Sequence, residues 1–265
     1  MLKITHDSGF FSNCSYRLHD IIHYFNKNNK LPDIIDCTEQ FKLYKPFNMK
    51  EYDITHHYFF NKDNLIGYNH FIDFNWLFQF IDYKKLNFNL LKPFIDKYFS
   101  PTNDICDIIK NIETKYNLEY QNICVLFYRG NDKATETHLC DYNEIIEKAN
   151  IIYNKNNNIK FLIQSDETEF INTMSYTFPN NICFKDEIRA MTRQCSSVDL
   201  LTKDIDNNNV NYIFSKKFLA ITIIMSRCKY IICGTGNCSL WIMFYRNNAD
   251  NIFQFVENKW LNNIT

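Results

Sequence analysis

From Val125 to Thr137 the chain reads VLFYRGNDKATET. An apolar run, Val125 to Tyr128, stops at Arg129, and Asp132, Lys133 and Glu136 follow at once. An arginine at the end of a buried strand stays charged at any ordinary pH. Its planar fork suits a phosphate or a carboxylate. Two uses are open on these residues alone: a ligand contact, or an Arg129–Asp132 ion pair with Asp132 capping the next helix. A second chemical stretch is CGTGNCS, residues 233–239. An apolar run, then Gly234-Thr235-Gly236-Asn237, then a helical pattern would leave backbone N–H groups free at a helix N-terminus. Such a place attracts anions. Two of the five glycines of the whole chain fall here, which favours close approach of backbone to a ligand over an ordinary turn capped by Asn237 or Thr235.

Two further strand-end loops carry polar groups. THDSGFFSNCS, near the N-terminus, holds Asp7, Ser8 and Gly9. One glycine does not make a dinucleotide fingerprint. The loop is either a plain strand-to-helix turn or a place for a phosphate. In LIQSDE, Ser165, Asp166 and Glu167 end another apolar run. A carboxylate there can receive a ribose hydroxyl or cap the following helix.

These loops need strands and helices to hold them. MLKITHD predicts a short strand, YRLHDIIHYFNKNN a helix with Leu18, Ile21, Ile22 and Phe25 on one face, and LPDIIDCTE a second strand. That order is a parallel βαβ unit. The middle of the chain reads as helices, one interrupted by Pro93 and one starting at Ser100-Pro101 as cap and first residue. After residue 118, strands and helices alternate: NICVLFY, IKFLIQSD, NNICFKD, KYIICG and NIFQFV are the strands. Their runs are apolar without alternation, which suits a parallel sheet buried on both faces. The expectation is two Rossmann-like halves, residues 1–118 and 119–265, with ligands at the carboxyl ends of the strands.

The 265 residues suffice for one large domain or two small ones. A formal net charge of -1 excludes a bulk electrostatic nucleic-acid binder. The ten cysteines show no Cys-x-x-Cys pair or zinc-type spacing, and several sit in apolar runs, so they read as reduced and structural. MLKITHDSGFF does not resemble a signal peptide, and no stretch has the apolar length of a membrane span. A soluble, cytoplasmic protein is expected. The histidines form no H-E-x-x-H pattern, and neither G-x-S-x-G nor a P-loop occurs. Asp204-Ile205-Asp206 has the form of a metal–diphosphate triplet but lies in an Asn-rich loop, away from any apolar strand.

FYRGNDKATET resembles the His-x-Arg-Arg-x-Asp-Lys-x-x-x-Glu segment of GT-B fucosyltransferases, the α1,6-fucosyltransferases and, more distantly, the protein O-fucosyltransferases. SGFFSNCSYRLHDIIHYFNKNNKLPDIIDCTE, KPFIDKYFSPTNDICDII and CKYIICGTGNCSLWIMFYR are similar, in the same order, to other parts of that family. The resemblance implies a GT-B-like α/β fold with a cleft between two Rossmann-like domains. It implies an inverting, metal-independent transfer of a sugar, fucose from GDP-fucose or another GDP- or UDP-linked sugar, to a glycan or protein hydroxyl, with no cofactor. Arg129 would contact the donor diphosphate, followed by Asp132 and Lys133. Thr235, Gly236 and Asn237 would meet the phosphates through their backbone, next to Gly234, with Asp166 near the donor. Asp7, Ser8 and Gly9 would lie on the acceptor side. Asp132, Glu136 and Asp7 are candidates for the general base. Phe127 stands where the family has its histidine, Gly130 replaces the second arginine, and FLAITIIMSRC lacks the family's guanine-binding acid. A catalytically silent nucleotide-sugar-binding domain of a larger enzyme is the alternative.

Overall fold

A computed structural model describes residues 1–62, 71–188, 190–192 and 209–264. The Asp204-Ile205-Asp206 triplet and Cys195 lie outside these residues. In chain order, β1 (Leu2–Lys3), α1 (Phe10–Asn28) and β2 (Ile35–Asp36) come first. They are followed by β3 (Phe59–Phe60), α2 (Phe88–Tyr98), β4 (Ser100–Pro101) and α3 (Asn103–Tyr116). The alternating part holds β5 (Ile123–Tyr128), α4 (Tyr142–Lys155), β6 (Lys160–Ser165), α5 (Thr168–Thr177) and β7 (Asn181–Cys183). It closes with α6 (Val210–Arg227), β8 (Tyr230–Gly234), α7 (Asn237–Arg246), β9 (Ile252–Val256) and β10 (Lys259–Asn262).

The protein is an α/β protein with a six-stranded mixed sheet in the order β10-β9-β8-β5-β6-β7. β5 to β9 are mutually parallel, and β10 returns antiparallel on β9. Every residue of β5 and β9 is buried, as the unbroken apolar run of β5 requires; in β9 the one polar residue, Gln254, is bonded to Tyr83 N and Ile81 O. From β5 the chain builds β6 and β7 on one side, then β8 and β9 on the other. The strand order therefore reverses between β5 and β8. That switch point leaves a crevice at the carboxyl ends of these two strands, where Arg129 and Gly234 stand.

All six strands of the sheet lie after residue 118. Before it, the predicted βαβ unit forms, but β1 and β2 are a parallel pair of two residues each. A second Rossmann-like sheet is absent among the described residues. The N-terminal elements instead share a core with the sheet: Phe10, Phe11, Phe94 and Phe99 belong to one hydrophobic cluster with Val125, Ile231 and Trp241. Ser100-Pro101 does not start a helix. Ser100 Oγ donates to Asp96 O at 2.6 Å, and β4 pairs antiparallel with β3. α3 begins after Thr102, whose N–H donates to Tyr58 O at 3.0 Å.

With so few glycines, asparagine supplies the left-handed backbone that ends helices. Asn29, Asn117 and Asn247 cap α1, α3 and α7 with φ of 49°, 47° and 61°. Asn tolerates this region better than other side chains do, which explains how helices stop without Gly. Among the described residues no helix is long and apolar enough to cross a membrane.

Candidate active site

The crevice at the switch point is a cavity of about 460 Å³. Arg129, Asp132, Lys133, Glu136, Asp166, Thr235, Gly236, Asn237, Ser8 and Gly9 all line it. Residues read from four separate stretches of sequence thus converge on one space. Two expected members do not line it. Asp7 turns away, accepting from Lys42 N at 3.1 Å and from Asn13 Nδ2 at 3.4 Å. Gly234 borders a small recess behind the loop.

Arg129 leaves β5 into a cluster of carboxylates. Nη1 donates to Asp166 Oδ2 and Nη2 to Asp132 Oδ1, the latter at 2.8 Å. The ion pair with Asp132 weighed from sequence therefore forms. Nη1 also reaches Gly130 O at 3.3 Å. A guanidinium has five N–H donors. Nε and the second Nη2 hydrogen have no partner among the described residues, so the fork is oriented but not saturated. Asp166 is itself fixed, because Oδ1 accepts from Gly130 N at 2.9 Å.

The turn after Arg129 is held by a buried acid. Glu167 is 1% exposed, accepts from Asn131 N at 2.8 Å, and accepts from the Tyr142 hydroxyl. A β-carbon on residue 130 would lie 2.1 Å from Glu167 Oε1. Gly130 is thus the residue that lets the backbone pass over this carboxylate, and no larger side chain fits there.

Lys133 links the two central loops. It is 6% exposed, with Nζ 2.6 Å from Glu136 Oε2 and 3.3 Å from Gln79 Oε1. A β-carbon on Gly236 would meet Lys133 Cε at 3.1 Å and Nζ at 3.4 Å. The ammonium therefore stands against the loop that starts α7. Gly236 has φ 143°, a conformation that side chains rarely adopt.

The Gly236 N–H is not free, contrary to expectation. It donates to Gln79 O at 3.1 Å and lies 3.2 Å from Tyr83 Oη. Residues 76–85 supply these contacts, and nothing local to the glycine loop announces them. Asn237 is tied by its side chain, whose Oδ1 accepts from Ser15 Oγ at 2.7 Å. The backbone N–H groups of Asn237, Cys238 and Ser239, in the first turn of α7, keep no acceptor among the described residues. α1 also begins at this cavity, at Gly9 and Phe10. Two helix N-termini thus put partial positive charge into a space that Asp132, Glu136, Asp166 and Glu187 make acidic.

Several lining residues escape sequence patterns. His6 Nε2 lies 3.1 Å from Ser8 Oγ and 3.3 Å from Ser12 Oγ. Its ring stacks on Tyr16 at 3.4 Å, and Tyr16 stacks on Trp76 at 4.9 Å. Burial lowers the His6 pKa, only partly opposed by Asp7 and Asp20, so the imidazole is uncharged at neutral pH. Its one legible signal is its place in the polar loop that follows β1. Burial pushes the Cys233 and Cys238 thiols up to about 12, so neither offers a thiolate nucleophile beside the loop. No group of three or more His, Cys, Asp or Glu side chains among the described residues is arranged to hold a metal ion.

Fold and site together define an α/β protein with a mainly parallel sheet and, at its switch point, a cleft lined by charged and apolar side chains. Particular solved structures are similar to part of the chain. The α-1,6-fucosyltransferase NodZ co-crystallized with GDP is similar over 66% of this chain and 52% of its own, at 13% identity and a TM-score of 0.40. The fucosyltransferase NodZ from Bradyrhizobium is similar over 65% of this chain and 51% of its own, at 12% identity and a TM-score of 0.41. NodZ soaked with GDP-fucose is similar over 67% and 54%, at 11% identity and 0.39. The chain spans about half the length of these structures. No protein-family profile and no curated protein matches it.

Proposed function

We propose that the chain is a glycosyltransferase of the inverting, metal-independent kind, taking a nucleotide-diphosphate sugar such as GDP-fucose and transferring the sugar to a glycan or protein hydroxyl. The observation that carries this is the meeting of Arg129, Lys133 and the first turn of α7 at one switch-point cleft. When the bond from sugar to diphosphate breaks, negative charge grows on the leaving phosphate. The unsaturated Arg129 fork, the Lys133 ammonium and the α7 N–H groups are preorganised donors for that charge. In this mechanism they supply the compensation that a metal supplies elsewhere. The acceptor hydroxyl attacks from the opposite face and must lose a proton. Asp132 and Glu136 are each held by a cation, whereas His6 is uncharged and, among the described residues, its ring bonds serine hydroxyls. His6 therefore joins the acids as a candidate base, on the α1 side of the cleft.

One observation favours a second function. Both cations already have carboxylate partners, Asp166 and Asp132 for Arg129 and Glu136 for Lys133. A silent nucleotide-sugar-binding domain could keep them so. Incubation with GDP-fucose and with UDP- and GDP-linked hexoses, following nucleotide release over hours, separates the two. The enzyme is expected to release nucleoside diphosphate from one donor well above the buffer rate. Thermal stabilisation by a nucleotide with no release from any donor would instead establish the silent binder.

A further inference from the structure

Gln164 is a polar exception on an apolar sheet face. On the side of the sheet that packs with α6, β5 places Val125 and Phe127, and β6 places Leu162, all within one hydrophobic cluster. The next residue of β6 on that face is Gln164, which stands opposite Phe127 in the strand register. It is 5% exposed, and its Oε1 is buried without a hydrogen-bond partner among the described residues. Leaving a buried carboxamide oxygen unpaired is costly, and such groups are uncommon unless something else completes them. The side chain lines the cleft, where Phe127, Ile188, Phe218 and Ile221 supply the surrounding apolar wall.

We propose that this apolar end of the cleft takes the nucleobase of the donor, and that Gln164 pairs with the base's hydrogen-bonding edge. The proposal rests on the diphosphate assignment of the Arg129 end. A carboxamide offers an acceptor beside a donor. That pattern complements a ring N–H beside a carbonyl, the edge that guanine and uracil both present. α6 carries no acid; at the cleft it places Asn211 and Ser215 as well as Phe218 and Ile221. From the sheet side, Gln164 brings a buried carboxamide oxygen. The strand geometry keeps the order of a nucleotide. Arg129 stands two residues beyond Phe127, roughly 7 Å along the strand direction. Asp166 stands two residues beyond Gln164, level with Arg129 and bonded to it, so it marks the phosphate end together with Arg129. The aromatic ring of Phe127 gives a flat base an apolar surface.

The test is calorimetric titration of the full chain with GDP, UDP and inorganic pyrophosphate, for wild type, Gln164→Leu and Gln164→Glu. Gln164→Leu fills the same space without polar atoms. It should melt no lower than wild type, because it removes a buried unpaired group. It should bind GDP or UDP roughly tenfold or more weakly and leave pyrophosphate affinity unchanged. Gln164→Glu, which keeps an acceptor but loses the amide donor, should also weaken nucleotide binding. Equal nucleotide affinity in wild type and Gln164→Leu would overturn the proposal. So would wild-type binding of pyrophosphate with no gain from a base, which would leave the diphosphate assignment standing. Wild type that binds none of the three would remove both.

Discussion

Arg129→Ala is expected to slow nucleotide release from the donor by on the order of 10² to 10³-fold, the usual cost of removing one preorganised electrostatic donor. The arginine is placed by the strand that ends beneath it and by two carboxylates that fix its fork. The side chain lines the cleft with its fork already oriented, which limits the reorganisation needed when charge appears on the leaving phosphate. Arg129→Lys keeps the charge but loses the planar fork, so an intermediate loss is expected. The substitution should not collapse the turn, because Asp166 still accepts from Gly130 N and Glu167 from Asn131 N. Initial rates at saturating donor, with a melting curve for each variant, check the prediction. A folded Arg129→Ala that releases nucleotide within about threefold of wild type is incompatible with the donor role.

Gly130→Ala should destabilise the fold by roughly 1–3 kcal/mol, the range for forcing an extra carbon into packed space. The new Cβ would sit 2.1 Å from Glu167 Oε1 and 2.7 Å from its Cγ, so the whole side chain must move. Glu167 cannot move without giving up its bonds to Asn131 N and the Tyr142 hydroxyl, and Asn131 is buried. Gly9→Ala is the control: a β-carbon there meets nothing within 4 Å, and φ is -57°. Urea midpoints should fall for Gly130→Ala and hold for Gly9→Ala. Equal midpoints would mean that the carboxylate does not lock this turn.

The sheet and the charged strand end were legible because they follow local rules. The apolar runs of β5 and β8 require burial on both faces, and a charge can stand only where such a run ends. Asp166, Lys133 and the 235–237 loop reach one cleft because parallel strands deliver all their carboxyl ends to one side. What stayed hidden depends on partners distant in sequence or on unusual punctuation. The β9–β10 hairpin turns at Glu257 and Asn258, with φ of 50° and 60°, and carries no glycine to mark it. Asp7 and His6 differ by one residue after a two-residue strand, and sequence could not fix which of them faces the cleft. The Gly236 N–H looked available because its acceptor, Gln79 O, lies 157 positions earlier in the chain. Gln164 passed as an ordinary strand residue until its burial and missing partner were visible.

The most direct measurement is a crystal structure of the protein with GDP bound. Arg129 and the N–H groups that open α7 should both lie within about 3 Å of oxygens on the same diphosphate, at hydrogen-bond distance. A diphosphate seated elsewhere, or one more than about 8 Å from Arg129 while that side chain stays on Asp132 and Asp166, would contradict the assignment.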